Sequence, residues 1–131
     1  MRDQAYLAWI AGLPCVPTLI LEGRQHLGVQ VCHLKMPSIE HGKRHVGGQE
    51  KPSDIWVIPM RPWYHMDRLA GGGPKSQHQI GEPAFYDMLG INPFDLCLAL
   101  RDAYEKGLSG HVVIARFCAA ARKANMERDC A

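Results

Sequence analysis

The clearest hydrophobic pattern is an alternation with period two over residues 29–35, VQVCHLK, which predicts a β-strand. Its two faces carry different residues: Val29, Val31, His33 and Lys35 on one, and Gln30, Cys32 and Leu34 on the other. Residues 54–60, DIWVIPM, predict a second, buried strand whose ladder ends at Pro59. Residues 15–22, CVPTLILE, are also rich in β-formers, although Pro17 restricts them to an edge. We expect that run to pair with residues 29–35 as a hairpin.

Helical spacing dominates the remainder of the chain. Residues 2–13 repeat apolar side chains at Tyr6, Ile10 and Leu13, and Pro14 follows as a stop signal, so a short amphipathic helix is predicted. Later segments predict further helices or helical turns: residues 61–70, 74–80 and 83–89, a helix that begins at Pro93, and residues 111–128. Strands followed by helices indicate an α+β domain.

A long loop, residues 36–53, separates the two strands that bracket it. Loops of this length in a small domain are usually functional or disordered. With Lys35 just before it, the loop supplies four cations that could bind phosphates: Lys35, Lys43, Arg44 and Lys51. The alternative is a solvated surface loop, and the charge alone favours that alternative.

Composition limits the class of protein. The chain has 131 residues, 47% of them hydrophobic and 21% charged, which is typical of one soluble globular domain over residues 1–131. The net charge of +2 neither requires nor excludes a nucleic-acid partner. Five cysteines without a CxxC pair make a disulfide scaffold unexpected. Because we see no bilayer-length apolar run and only a poor signal peptide, we expect a cytoplasmic protein without a membrane partner.

Several strings occur together in a recognisable order: VCHLK, then HGKRHVGGQEKPSDIWVIPM, then QHQIGEPAFYDMLGINP. In this order they resemble the phage and prophage HNH-type nuclease family, in particular its branch of recombination-associated nucleases. The matching positions are Pro14-Cys15, His33, Gly42-Lys43-Arg44, Lys51-Pro52-Ser53-Asp54, Trp56, Val57, Pro59, His65, Gln77-His78, Gly81-Glu82 and Phe85. The resemblance covers roughly residues 5–95.

The resemblance implies a ββα-metal centre in a core of about residues 14–90, with a helical extension over about residues 92–129. It implies an endonuclease that hydrolyses DNA phosphodiester bonds with a divalent metal ion (Mg, Mn, Ni or Zn), phage-encoded and working in the bacterial cytoplasm. His33 would be the general base, since an imidazole titrates near neutral pH. His65 and His78 would bind the metal, and the four cations named above would bind the DNA.

The chain also departs from the family pattern. Cys15 has no nearby cysteine, and Arg61 stands where a later zinc cysteine would be. Cys32 precedes His33 where HNH enzymes generally have Asp or His, and the central Asn is missing, with Trp56 near its place. These departures favour an alternative function, in which a catalytically degenerate HNH fold binds DNA or a phage protein without cutting. A third possibility is a structural module that forms a homodimer through its C-terminal helices.

Each histidine also has an ordinary structural interpretation. Taken alone, His33 is a strand residue with a local hydrogen-bond partner, and His65 and His78 are surface residues. Asp54 and Asp67 could bind the metal or orient a histidine. Of these hypotheses, only the enzyme requires all three histidines to converge on one site.

Overall fold

A computed structural model describes residues 2–45 and 53–130. The order of elements is α1 (Gln4–Ala11), α2 (Val16–Glu22), β1 (Gln30–His33), β2 (Val57–Met60), α3 (Pro62–His65), a 3-10 turn (Arg68–Ala70), α4 (Gln77–Ile80), α5 (Glu82–Leu89), α6 (Pro93–Glu105) and α7 (Gly110–Asp129). The expected mixture of helices and strands is confirmed, with a small two-stranded antiparallel sheet among the helices. Lys51, one of the four predicted phosphate-binding cations, lies outside the described residues.

The sheet consists of β1 and β2, which pair antiparallel with His33 opposite Val57. Cys32 and Leu34 are fully buried, while the alternate residues Val31 and His33 are partly exposed, so the predicted alternation is confirmed. Pro59 does not end the ladder; it lies within β2 opposite Val31.

The expectation of a strand at residues 15–22 was wrong, and with it the expected hairpin. Cys15 is extended and precedes α2, so Pro17 falls in the first helical turn, where its missing N–H breaks no helical hydrogen bond. Gly23 ends the helix with a left-handed φ of 70°. Burial of Val16 and Ile20 overrides the β-propensity of this run. As a result β1 pairs with β2.

The N-terminal segment Gln4–Glu22 is long and apolar enough, by composition, to resemble a membrane span. It is divided between α1 and α2, with Gly12 between them, and half of it is buried inside the protein. Burial of this kind is typical of core helices in a soluble protein.

The C-terminal helix α7 packs on the core against α2 and α6. Its Arg122 donates to the carbonyl of Ile20 at the end of α2 (2.8 Å), and its Asn125 donates to the carbonyl of Leu89 at the end of α5 (2.9 Å). Both contacts satisfy carbonyls that a helix end leaves without an internal partner. Helix α7 is therefore part of the same folded unit as the sheet.

Candidate functional site

His33 is positioned by the sheet and oriented by an acid. It is the last residue of β1, and its Nε2 lies 2.9 Å from Oδ1 of Asp54, just before β2. Asp54 is buried, with 1% of its surface exposed. An ionised carboxylate can only accept a hydrogen bond, so Nε2 carries a proton and its N–H donates a hydrogen bond to Asp54. In the neutral ring, the other nitrogen, Nδ1, keeps its lone pair.

Three donors keep Asp54 ionised. Burial alone would raise the pKa of this carboxyl group, but hydrogen bonds from His33, from the backbone N–H of Asp3 (2.7 Å) and from Arg2 (3.1 Å) outweigh it. The net result is a pKa below the usual value for aspartate. Asp54 is therefore a fixed negative charge behind His33 at neutral pH.

His65 is also held by a hydrogen bond, in this case from Nδ1 to a side-chain amide. It is the last residue of α3, and its Nδ1 lies 2.9 Å from Oε1 of Gln30 on β1. Because an amide oxygen only accepts, Nδ1 carries the proton and Nε2 keeps its lone pair. Burial lowers the pKa of His65, and the neighbouring charges of His33 and His78 lower it further. His65 is thus a neutral imidazole near neutral pH.

His78 reaches the site because the chain doubles back after α3. The N–H of Gly72 donates to the carbonyl of Asp67, and that of Gly73 to the carbonyl of Trp63, both at 2.7 Å. A Cβ on Gly72 would lie 1.6 Å from the carbonyl oxygen of Met66, so only glycine fits this fold-back. The turn returns α4, with His78, to a position against α3.

These residues surround one cavity of about 300 Å³. Its lining combines imidazoles, a cation, a carboxylate and an amide: His33, Lys35, His65, Gln77, His78, Gly81 and Glu82. The structure therefore brings the three histidines predicted from the sequence to a single cavity. His78 is the most open of them, with 62% of its side chain exposed and its Nε2 3.9 Å from Asp67.

Glu82 fixes the end of β1 that carries His33. Its carboxylate accepts from the backbone N–H groups of Lys35 (2.8 Å) and Met36 (3.1 Å). Glu82 lies in the first turn of α5, where negative charge is favourable. The wall of the cavity that contains Glu82 is therefore tied to the strand.

Cys32 points away from the cavity, as strand alternation predicts. Its thiol is buried and donates to Oε1 of Gln77 (3.4 Å), which also accepts from the hydroxyl of Tyr86 (2.7 Å). Burial raises the pKa of Cys32 to about 12. The thiol therefore stays protonated and braces Gln77.

The four cations have different surroundings. Lys35 is exposed and lines the cavity, and Arg44 is exposed on the following loop. Lys43 is buried, with 6% exposure, and its Nζ donates to the carbonyl of Met36 (2.7 Å). Burial also lowers the pKa of Lys43. In this structure Lys43 stabilises the loop, while Lys51 is outside the described residues.

Within residues 2–45 and 53–130, no three or more His, Cys, Asp and Glu side chains form a group that could hold a metal ion. His65 and His78 share the cavity with His33 and Glu82, but these side chains do not form such a group.

Sequence analysis missed the residues that hold the histidines. Gln30 is one of them, and the network behind Asp54 includes Asp3 and Arg101 (Arg101 to Asp3, 2.9 Å). The alternation of β1 places Gln30 on the face opposite His33, but no local pattern pairs it with α3. Arg101 and Asp3 are 98 positions apart, so only the tertiary fold brings them together.

Comparisons with protein-family models, with curated proteins and with solved structures found no match to this chain.

Proposed function

We propose that this protein is a metal-dependent, HNH-like endonuclease that hydrolyses DNA phosphodiester bonds. The observation that supports this most is the shared cavity, in which His33, braced by Asp54, faces the same space as His65 and His78. A strand-strand-helix order, β1, β2 and α3, supplies His33 and His65, and α4 supplies His78. The proposal rests on this arrangement together with the ordered sequence resemblance.

His33 is the proposed general base. Hydrolysis of a phosphodiester requires a water that loses a proton as it attacks phosphorus. The bond from Nε2 to Asp54 leaves Nδ1 able to take that proton, and the buried carboxylate stabilises the imidazolium that results. A base of this kind contributes about 10²–10⁴-fold to a rate.

His65 and His78 are the proposed metal ligands. The Gln30 contact leaves the lone pair of His65 on Nε2, and the lowered pKa keeps the ring neutral, so His65 suits a metal ion. Imidazole donors favour Ni or Zn over Mg. When bound, a divalent ion neutralises charge on the phosphate and stabilises the leaving oxygen. With two protein ligands, water and phosphate oxygens would complete its coordination.

Lys35 and Arg44 are the proposed phosphate contacts. Lys35 lies two residues after His33, just beyond the end of β1, and it lines the same cavity. Contacts to phosphate release counterions, so DNA affinity should fall steeply with salt and depend little on sequence.

A second candidate function is DNA binding without cleavage. One observation favours it: the described residues contain no group of three metal-binding side chains. In that case Lys35 at the cavity and the exposed Arg44 would contact phosphates without a metal ion.

Plasmid nicking by metal-stripped protein separates the two functions. Supercoiled plasmid is incubated with the protein and Mg, Mn, Ni or Zn, and the same mixtures are run on a retardation gel. The nuclease proposal predicts nicked circles with at least one imidazole-preferring metal and none with EDTA. Retarded but intact plasmid with every metal would establish the binding function and reject the nuclease.

A further inference from the structure

A continuous chain of hydrogen bonds connects α6 to His33. The guanidinium of Arg101 donates to Oδ2 of Asp3 (2.9 Å). The backbone N–H of Asp3 donates to Oδ2 of Asp54 (2.7 Å), and Oδ1 of Asp54 accepts from His33 (2.9 Å). Asp3 and Asp54 therefore connect Arg101 on α6 to His33 in the cavity.

Arg101, at the α6 end of this series of hydrogen bonds, is held in place by several contacts. Its guanidinium lies 4.8 Å from the centre of the Tyr6 ring and 5.3 Å from that of Tyr104, within the range of cation–π attraction. Its Nε also donates to Glu105 one turn along the helix (2.7 Å). Only 19% of the side chain is exposed. A guanidinium fixed on several sides can hold a partner in one orientation.

Asp3 transmits that orientation through two different groups. Its carboxylate is shared between Arg101 and the N–H of Tyr6, where it caps α1. Its own N–H is the donor that reaches Asp54. Because the carboxylate and the N–H belong to one residue, fixing the side chain also fixes the direction of the backbone donor.

We propose that Arg101 is a positioning residue, which acts through Asp3 and Asp54 to hold the ring of His33 in one orientation and one tautomer. This inference rests on the proposed function only for its effect on cleavage, since the orientation itself can be measured without activity. It makes α6 part of the site, although Arg101 and Asp3 both lie outside the residues that carry the sequence resemblance.

The test is NMR of the ring nitrogens of His33 and of the Asp3 amide near neutral pH. The wild type should show a single tautomer with the proton on Nε2, and an Asp3 amide proton shifted downfield by its carboxylate acceptor. Arg101→Met should give a mixture of tautomers and move the Asp3 amide upfield. Asp3→Asn should also give a mixture of His33 tautomers and an upfield shift of the amide at position 3. The variant keeps α1 capped, because Asn caps helices as well as Asp does.

Lys106→Met is the matched control. Lys106 is the C-cap residue of α6 and also has an i,i+4 ion pair, with Asp102 at 3.0 Å, but among the described residues this pair does not lead to Asp54. It should leave both signals at their wild-type positions. If Arg101→Met does not fold, Arg101→Lys and Asp3→Asn carry the test. Wild-type signals in the folded Arg101 and Asp3 variants would overturn the proposal.

Cleavage gives a second readout. Nicking should slow by about 10–100-fold in Arg101→Met with the KM for DNA unchanged, as for other residues that orient a reacting group. If the wild type nicks no DNA with any metal, the nuclease proposal fails while the NMR signals still decide the role of Arg101. If the wild type nicks DNA and Arg101→Met nicks equally fast, the positioning role is wrong.

Discussion

The Nε2 of His33 lies 2.9 Å from Oδ1 of Asp54, which joins the end of β1 to the residues that lead into β2. The carboxylate is buried and accepts from two further donors, so the contact fixes both the ring orientation and its tautomer. The proposed general base and the positioning role of Arg101 both depend on this pair.

Asp54 should make stability depend on acid pH. A carboxyl group whose pKa is depressed by folding stabilises the protein above its unfolded pKa of 3.8, and loses that effect as the pH falls through its folded pKa. Asp54→Asn should therefore be less stable than the wild type at pH 7, by about 1–3 kcal/mol. The difference should shrink below pH 4. Urea unfolding at both pH values measures it.

Asp129→Asn is the control for that experiment, because Asp129 is exposed at the end of α7. It should match the wild type at both pH values. A deficit in Asp54→Asn that stays constant down to pH 2 would contradict the linkage.

Gln30 should tune metal binding without being a ligand. Gln30→Ala removes the acceptor that keeps the proton of His65 on Nδ1, and loss of such a partner typically weakens metal affinity by about 10–100-fold. Calorimetric titration with Zn or Mn measures the change. Gln79→Ala, on the exposed face of α4, should bind as the wild type does. Equal affinity in the two variants would remove Gln30 from the account.

The fold-back after α3 should not tolerate a side chain at position 72. Gly72→Ala places a methyl group against the carbonyl of Met66, and overpacking of this kind costs about 1–3 kcal/mol. It should also weaken metal binding by displacing His78. Gly12→Ala is the control, since its Cβ would lie 3.6 Å from the nearest atom. Thermal unfolding that ranks the two variants alike would contradict the steric argument.

Two lysines predicted to bind DNA should behave differently. Lys35→Ala should weaken DNA binding and reduce the slope of log affinity against log salt by about 1. Lys43→Met should leave that slope unchanged and destabilise the fold instead, because it leaves the carbonyl of Met36 without its donor. Filter binding across a salt series, with urea unfolding beside it, separates the two effects. A reduced slope for Lys43→Met would mean that Lys43 contacts phosphate after all.

The sequence allowed the strand that carries His33, the strand after it and most of the helices to be predicted, because their periodicity is local. It failed at residues 15–22, where the packing of Val16 and Ile20 outweighs β-propensity. No local pattern indicates that His41 is buried either, yet its side chain is only 8% exposed, with Nε2 2.8 Å from Oδ1 of Asp95.

The three histidines could be named from the sequence because an ordered set of motifs surrounds them. The residues that hold these histidines in place could be predicted only in part. Asp54 was a candidate for orienting a histidine, but Gln30 and Arg101 act across contacts of 35 and 98 positions. Contacts of that range depend on how the helices pack, which no local pattern encodes.

The most direct measurement is the plasmid nicking rate of His33→Ala beside the wild type and His111→Ala, with the same metal and metal-stripped protein. His111 is exposed on α7 and serves as a matched histidine control. His33→Ala should nick the plasmid more slowly, on the order of 10²–10⁴-fold, while His111→Ala should keep the wild-type rate. Equal nicking by all three proteins would contradict the proposed role of His33 as general base.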